Sequence, residues 1–234
     1  MVQNFAPGGK AEQNHPSAAD QTRLALIRAG LKRFGEQGYE ATSTREIAAA
    51  AKSNIGSIAY HFGGKEGLRA ACAEYIVETI RGIAGETLGR PEMMAAVLRD
   101  PDLAAAALRT TLQRLVGFAT AIPEAADMMH FILREMGRPT SALDTIYSGV
   151  FEPVHKQVCA IWAAATGDDA ESERTRVQVF TLIGQVVYFR VAREAVLRRM
   201  GWQTLGAAEI DLVTKVAIDN VAAIVAGRRA TNGR

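Results

Sequence analysis

Apolar positions recur with helical spacing along most of the chain, and the pattern begins near Asp20. Leu24, Ile27, Leu31 and Phe34 fall on one helix face, with Arg23, Arg28, Lys32 and Arg33 mostly elsewhere. Gly35 and Gly38 are expected to end this helix. In "TSTREIAAAA", Ser43 and Glu46 have the S-x-x-E spacing of a capping box, in which each side chain satisfies a backbone N–H left unpaired at a helix start. Ile47 and the alanines give this second helix a thin apolar face that another helix can approach closely. "KSN" reads as a turn, Asn54 as the cap of a third helix, "IGSIAYHF", and Gly63-Gly64 as its stop. A longer fourth helix starts at Lys65. The second and third helices, joined by a tight turn at 52–54, form a helix-turn-helix unit.

Beyond Arg90 the character changes. "GRPEMMAAVLRDPD", with two prolines, reads as a linker. Helices are predicted at 103–121, 124–136, 141–166, 171–200 and 208–227, separated by "IPE", "GRPTS", "TGDD" and "GWQTLG". No strand pattern stands out. The expected fold is all-α: a disordered arm (1–19), a three-helix unit (20–66), a larger helical domain (67–227) and a disordered tail (228–234). "VQVFTLIGQVVYFRVA", within 171–200, is apolar nearly all round, which requires burial on more than one side. The last helix carries a stripe of Ile210, Val213, Val216 (or Ala217), Val221 and Ile224. One side of these two helices is assigned to the core and the other to a second subunit, so a homodimer through the last two helices is expected.

Composition narrows the class only slightly. Of 234 residues, 48% are hydrophobic and 22% charged, ordinary for a soluble globular protein. Residues 1–70 hold nine Lys/Arg against six Asp/Glu, so the small basic excess is N-terminal. The two cysteines, Cys72 and Cys159, make no disulfide framework and point to a reducing, cytoplasmic compartment. No apolar run reaches the length of a bilayer span, so no membrane partner is expected. Glu152, His155 and Cys159 share one helix face, a weak metal pattern that reads better as core. No cofactor and no metal are expected.

The stretch "YHFGGK" invites three chemistries. A P-loop requires glycine where Ala59 stands and a hydroxyl where Glu66 stands, and Glu66 would repel phosphate. A catalytic His61–Lys65 pair has the double glycine between its members and no convergent nucleophile or carboxylate. No catalytic residue is assigned and the chain is read as a non-enzyme. Nucleic-acid binding fits the local structure. The N-terminal residues of a recognition helix approach base edges, here Asn54, Ile55, Gly56 and Ser57. Gly56 leaves room for close backbone approach. Tyr60 suits a base or a phosphate, His61 and Lys65 the backbone, together with Thr44. Arg45 is the candidate for bidentate guanine readout. Ile58 and Phe62 are expected to pack inward.

Residues 28–68, "RAGLKRFGEQGYEATSTREIAAAAKSNIGSIAYHFGGKEGL", resemble the DNA-binding domain of TetR/AcrR-type transcriptional regulators. The likeness rests on Phe34, Gly38-Tyr39, Thr42-Ser43, Ile47-Ala48, Ala51, Gly56, Tyr60-His61-Phe62 and Lys65-Glu66. "REMGRPTSALDTIYSGVFEPVHKQV" and "GQVVYFRVAREAVLRRMGW" further resemble the CecR-like subgroup. The resemblance implies an all-helical homodimer with an N-terminal helix-turn-helix DNA-binding domain and a ligand-binding and dimerisation domain. It implies a repressor, bound to a double-stranded DNA operator and released by a small-molecule effector. The DNA contacts it implies fall on Thr44, Arg45, Ser57, Tyr60, His61 and Lys65. The sequence departs from the family at Lys52, where glycine is usual, so the turn needs a left-handed lysine or another shape. It departs again at Ala59, where tyrosine is frequent.

The larger domain gives fewer signals. "DMMHFILREMG" is rich in Met, which suits an adaptable apolar pocket. Arg134 and Glu135, charged on an apolar helix, require a partner or a polar ligand. The ligand-binding candidates are Phe118, Met128, Phe131, Ile132, Arg134, Trp162, Phe180, Gln185 and Tyr188. The rival to a ligand-responsive regulator is a helical interaction or enzymatic domain with an accessory helix-turn-helix.

Overall fold

The computed structural model describes residues 17–88, 91–121 and 123–233. Most of the arm expected at 1–19 lies outside the described residues. Its last residues are ordered: the hydroxyl of Ser17 accepts from Asp20 N–H and starts the first helix, α1, Ala18–Gln37. Then follow α2 (Thr44–Ala50), α3 (Gly56–Phe62) and α4 (Lys65–Leu88). The body continues with α5 (Pro91–Val97), α6 (Pro101–Ala121), α7 (Pro123–Gly137) and α8 (Ser141–Ile146). It is completed by α9 (Glu152–Thr166), α10 (Glu173–Val191), α11 (Arg193–Met200) and α12 (Ala207–Thr231).

Five expectations about boundaries are corrected. First, Gly35 does not help to end α1. It lies buried inside the helix, and Gly38, at φ +85°, is the stop. Second, the expected linker holds α5. Pro91, Pro101 and Pro123 each occupy the first residue of a helix, where a missing N–H costs nothing. Third, the run 141–166 is not uniformly α-helical. Tyr147–Phe151 forms a π turn. Pro153 has no N–H to give the carbonyl of Gly149, and Arg81 Nε of α4 donates to that oxygen at 2.8 Å instead. Fourth, the run 171–200 bends at Ala192 into two helices. Beyond Val191 the sequence turns polar, and the bend lets Leu197 reach the interior.

Fifth, residues 228–231 are helix and not tail. Asp168, just after α9, accepts from Trp162 Nε1 at 3.0 Å, Arg228 Nε at 3.0 Å and Asn232 Nδ2 at 2.9 Å. Arg228 Nη2 donates to Oδ1, the oxygen that Asn232 also reaches, and this ion pair is largely removed from solvent. Arg229 donates to the Ala165 carbonyl at 2.7 Å and pairs with Asp102 at 2.8 Å. The end of α12 is thus tied to α9 and to the start of α6.

Two apolar clusters result. One joins α1–α4 to α7, α8 and the π turn, around Phe34, Ile58, Leu68, Ile76 and Phe131. The other joins α6, α9, α10 and α12 around Trp162, Val179, Val213 and Val221. The head, α1–α3, therefore shares a core with α7 of the body. Among the described residues no helix is long and apolar enough to cross a membrane.

Candidate nucleic-acid interface

The α2–α3 unit is built by local chemistry. Ser43 and Glu46 close the capping box, with Ser43 N–H donating to Glu46 Oε2 at 2.8 Å and Glu46 N–H to Ser43 Oγ at 3.2 Å. The Ser43 hydroxyl, donating to Glu46 Oε2 at 2.7 Å, and then the Ser43 N–H hold the Glu46 carboxyl below its usual range. Thr42, buried behind it, donates to the carbonyls of Gly38 and Arg33. Ile47, Ala48 and Ile58 are buried beneath, so the two short helices sit on a shared apolar floor.

Lys52 adopts φ +52°, a left-handed conformation that costs a residue with a Cβ about 1–2 kcal/mol. The reward is local: Ser53 N–H reaches the Ala48 carbonyl at 2.9 Å, and Asn54 is placed to start α3. Asn54 Oδ1 accepts from Gly56 N–H at 2.8 Å. Gly63, at φ +72°, then caps α3. Gly67 answers to a tighter demand: a Cβ there would lie 1.8 Å from the Phe62 carbonyl oxygen, so α4 leaves α3 closer than any side chain permits.

This scaffold exposes the outer side chains. Arg45, Asn54, Gly56 and Tyr60 face solvent, and Thr44, Ser57, His61 and Lys65 are half-buried. Tyr60 is 83% exposed, far beyond what a tyrosine retained for packing would be, and its ring meets the His61 ring edge-on at 4.9 Å. Phe62 is half-buried with Arg23 over its face at 5.5 Å. Lys65 Nζ lies 4.1 Å from the centre of the Tyr39 ring and the Arg69 guanidinium 4.3 Å from it. Burial, then a hydrogen bond with Glu66, holds the Tyr39 hydroxyl above the usual tyrosine range. Tyr39 and Arg69 were not among the sequence candidates. Their signal would have been two cations and an aromatic around the "GGK" turn.

The body candidates do not converge on one place. Phe118, Met128, Phe131 and Ile132 belong to the cluster shared with the head. Trp162 is buried in the other cluster and bonded to Asp168. Phe180 and Tyr188 are 62% and 58% exposed on the outer side of α10, with Phe180 stacked on His155 at 4.0 Å. Gln185 accepts from Asn220 at 3.2 Å between α10 and α12. Arg134 reaches away from the body interior, to the end of α1. Glu135 is buried and accepts from Thr140, the cap of α8. His155 bonds the Arg176 carbonyl at 3.1 Å through Nε2 and lies 3.6 Å from Cys159 Sγ through Nδ1. Among the described residues no three His, Cys, Asp or Glu side chains are grouped to hold a metal.

Comparison with known proteins agrees with this architecture. Residues 26–72 match the family model of "Bacterial regulatory proteins, tetR family", and residues 104–228 that of "HTH-type transcriptional dual regulator CecR, C-terminal domain". The chain is 34% identical over 214 residues to the HTH-type transcriptional dual regulator CecR of Shigella flexneri, covering 89% of this chain and 93% of that protein. It is 43% identical over 65 residues to the HTH-type transcriptional regulatory protein RaaS of Mycobacterium tuberculosis, covering 27% and 30% of the two chains. The solved structure of AibR in complex with isovaleryl coenzyme A and operator DNA superposes with a TM-score of 0.62 at 15% identity, over 84% of this chain and 96% of that one. At that identity the likeness speaks for the fold alone. The chain therefore belongs to the TetR family, in its CecR-like branch, and is a DNA-binding transcriptional regulator rather than an enzyme.

Proposed function

We propose that the chain acts in the cytoplasm as a homodimer on a palindromic operator, and represses transcription until a small, largely apolar effector releases it. The observation that carries the reading is the exposed side of α2 and α3, where Thr44, Arg45, Ser57 and Tyr60 stand over a buried Ile47–Ile58 floor. Arg45 reads guanine, Asn54 and Gly56 approach base edges, and Thr44, His61 and Lys65 meet phosphates. Tyr60 bridges the two. The homodimer is supported by Val177, Phe180, Tyr188 and Val191 of α10 and by Leu212 and Val216 of α12, all exposed in the single chain. Apolar groups on two adjacent helices of one face call for cover, and a second copy supplies it symmetrically.

Phe118, Met128, Phe131 and Ile132 remain the effector candidates nearest the head. AibR was solved with isovaleryl coenzyme A and operator DNA. Short branched-chain acids, which are small and largely apolar, and their coenzyme A thioesters, which add a charged phosphorylated carrier, are accordingly the first pair of classes to screen. The Shigella relative is a dual regulator, and this favours a second reading in which the chain activates at some promoters. A gel-shift with DNA flanking its own gene tests the release step. Isovaleryl coenzyme A or a longer acyl thioester should dissolve the specific complex. Binding of the thioester to the protein with no change in operator affinity would refute it.

A further inference from the structure

A helix leaves its last carbonyl oxygens without intrahelical partners. At the end of α1 the carbonyls of Phe34, Gly35 and Glu36 find partners, in two different ways. Within the head, Thr42 Oγ1 donates to Arg33 O at 3.1 Å and Gly38 N–H to Phe34 O at 2.9 Å. The next two, Gly35 O and Glu36 O, accept from one guanidinium of the body: Arg134 of α7 donates through Nε at 3.2 Å and through Nη2 at 2.8 Å. A positive charge there also meets the negative end of the α1 dipole. At the same place the two backbones touch. A Cβ on Gly35 would lie 2.9 Å from His130 Cβ and 3.1 Å from Phe131 N.

The contact continues inward. The Phe131 ring of α7 lies 6.4 Å from Phe34, Phe34 lies 5.6 Å from Tyr39, and Lys65 covers Tyr39. An ion pair that also joins these helices, Arg28–Glu124 at 2.8 Å, is half exposed on both sides and contributes little. Two hydrogen bonds from a planar fork fix direction as well as distance, which a lysine in its place does not. Direction matters in a dimer. By simple geometry a pivot of about 10° displaces any point about 20 Å away by about 3.5 Å, one base-pair step.

We propose that Arg134 is the positioning residue that fixes the angle of the DNA-binding head against the body, and thereby the half-site spacing the dimer accepts. The inference rests on the homodimer reading. In vitro selection from a pool of randomised duplexes, run in parallel with the wild type, Arg134→Ala and Arg134→Lys, tests it. The wild type should select paired half-sites at a single spacing. Arg134→Ala should accept spacings one and two base pairs away and bind the wild-type duplex about tenfold more weakly, at the low end of inter-site coupling. Arg134→Lys, which keeps the charge and one bond, should fold and fall between the two, so the test stands even where the alanine variant unfolds. Folded variants with the wild-type spacing and affinity would overturn the proposal. A wild type that selects single half-sites would overturn the homodimer reading instead.

Discussion

Lys52 carries the sharpest backbone demand at the scale of single residues, since it holds φ +52° with a full side chain. Lys52→Gly should remove that strain, less the extra freedom glycine gains on unfolding. The expected gain is about 1 kcal/mol, or about 2–4 °C in melting temperature for a chain of this size, and a loss would show that the lysine side chain stabilises the turn. Gly67 gives the opposite sign. Replacing a helical glycine by alanine ordinarily stabilises by about 1 kcal/mol. At 1.8 Å from the Phe62 carbonyl oxygen, Gly67→Ala should instead cost about 2 kcal/mol or more in denaturant titration. Residue-scale features were legible where the rule is local. The Ser43–Glu46 box and the need for a left-handed Lys52 follow from a few neighbouring letters. Gly67 was not, because the atom it avoids belongs to the end of a different helix. Gly35 was misread as a stop for the same reason: its neighbour is α7, roughly a hundred residues away in sequence.

At the scale of elements, helix types were legible and their ends were not. The prolines at 91, 101 and 123 were read as breaks, although proline is equally at home as the first residue of a helix. The 228–234 segment was expected as a disordered tail, and its anchors, Asp168 and Asp102, lie far off in sequence. Asp168 lends itself to a direct test. Its hydrogen bonds, first of all to Arg228, hold its carboxyl well below the usual aspartate range. A depressed folded-state value means stabilisation that is complete above the unfolded pKa, about 3.9, and is lost progressively as pH falls below it. Asp168→Asn should therefore be less stable than the wild type by about 3 kcal/mol near pH 6. The difference should shrink below about pH 4 in urea titrations. A difference independent of pH would mean that the carboxylate charge is not what holds α12 to α9. Deleting residues 228–234 should cost at least as much, and adding Asp168→Asn to the deletion should cost little more, since both remove the same clamp.

The whole molecule couples a head to a body through a shared core. The family and the all-helical fold were readable from the sequence, because helix-turn-helix residues cluster within forty positions and each has a local physical reason. The effector candidates were not, because Met and aromatic residues mark core and pocket alike. The structure disperses Met128, Trp162 and Tyr188 over two clusters and an exposed face. The central claim is that the exposed side of α2 and α3 reads operator DNA. Fluorescence-anisotropy titration of a selected duplex over a salt series, with the wild type, Arg45→Ala, Tyr60→Ala and Lys65→Ala, tests it most directly. Arg45→Ala and Tyr60→Ala should each weaken specific binding by about tenfold or more and leave non-specific binding nearly intact. Lys65→Ala should weaken both and lower the salt slope by about one unit per subunit. Folded variants that bind the selected duplex with wild-type affinity and slope would contradict it.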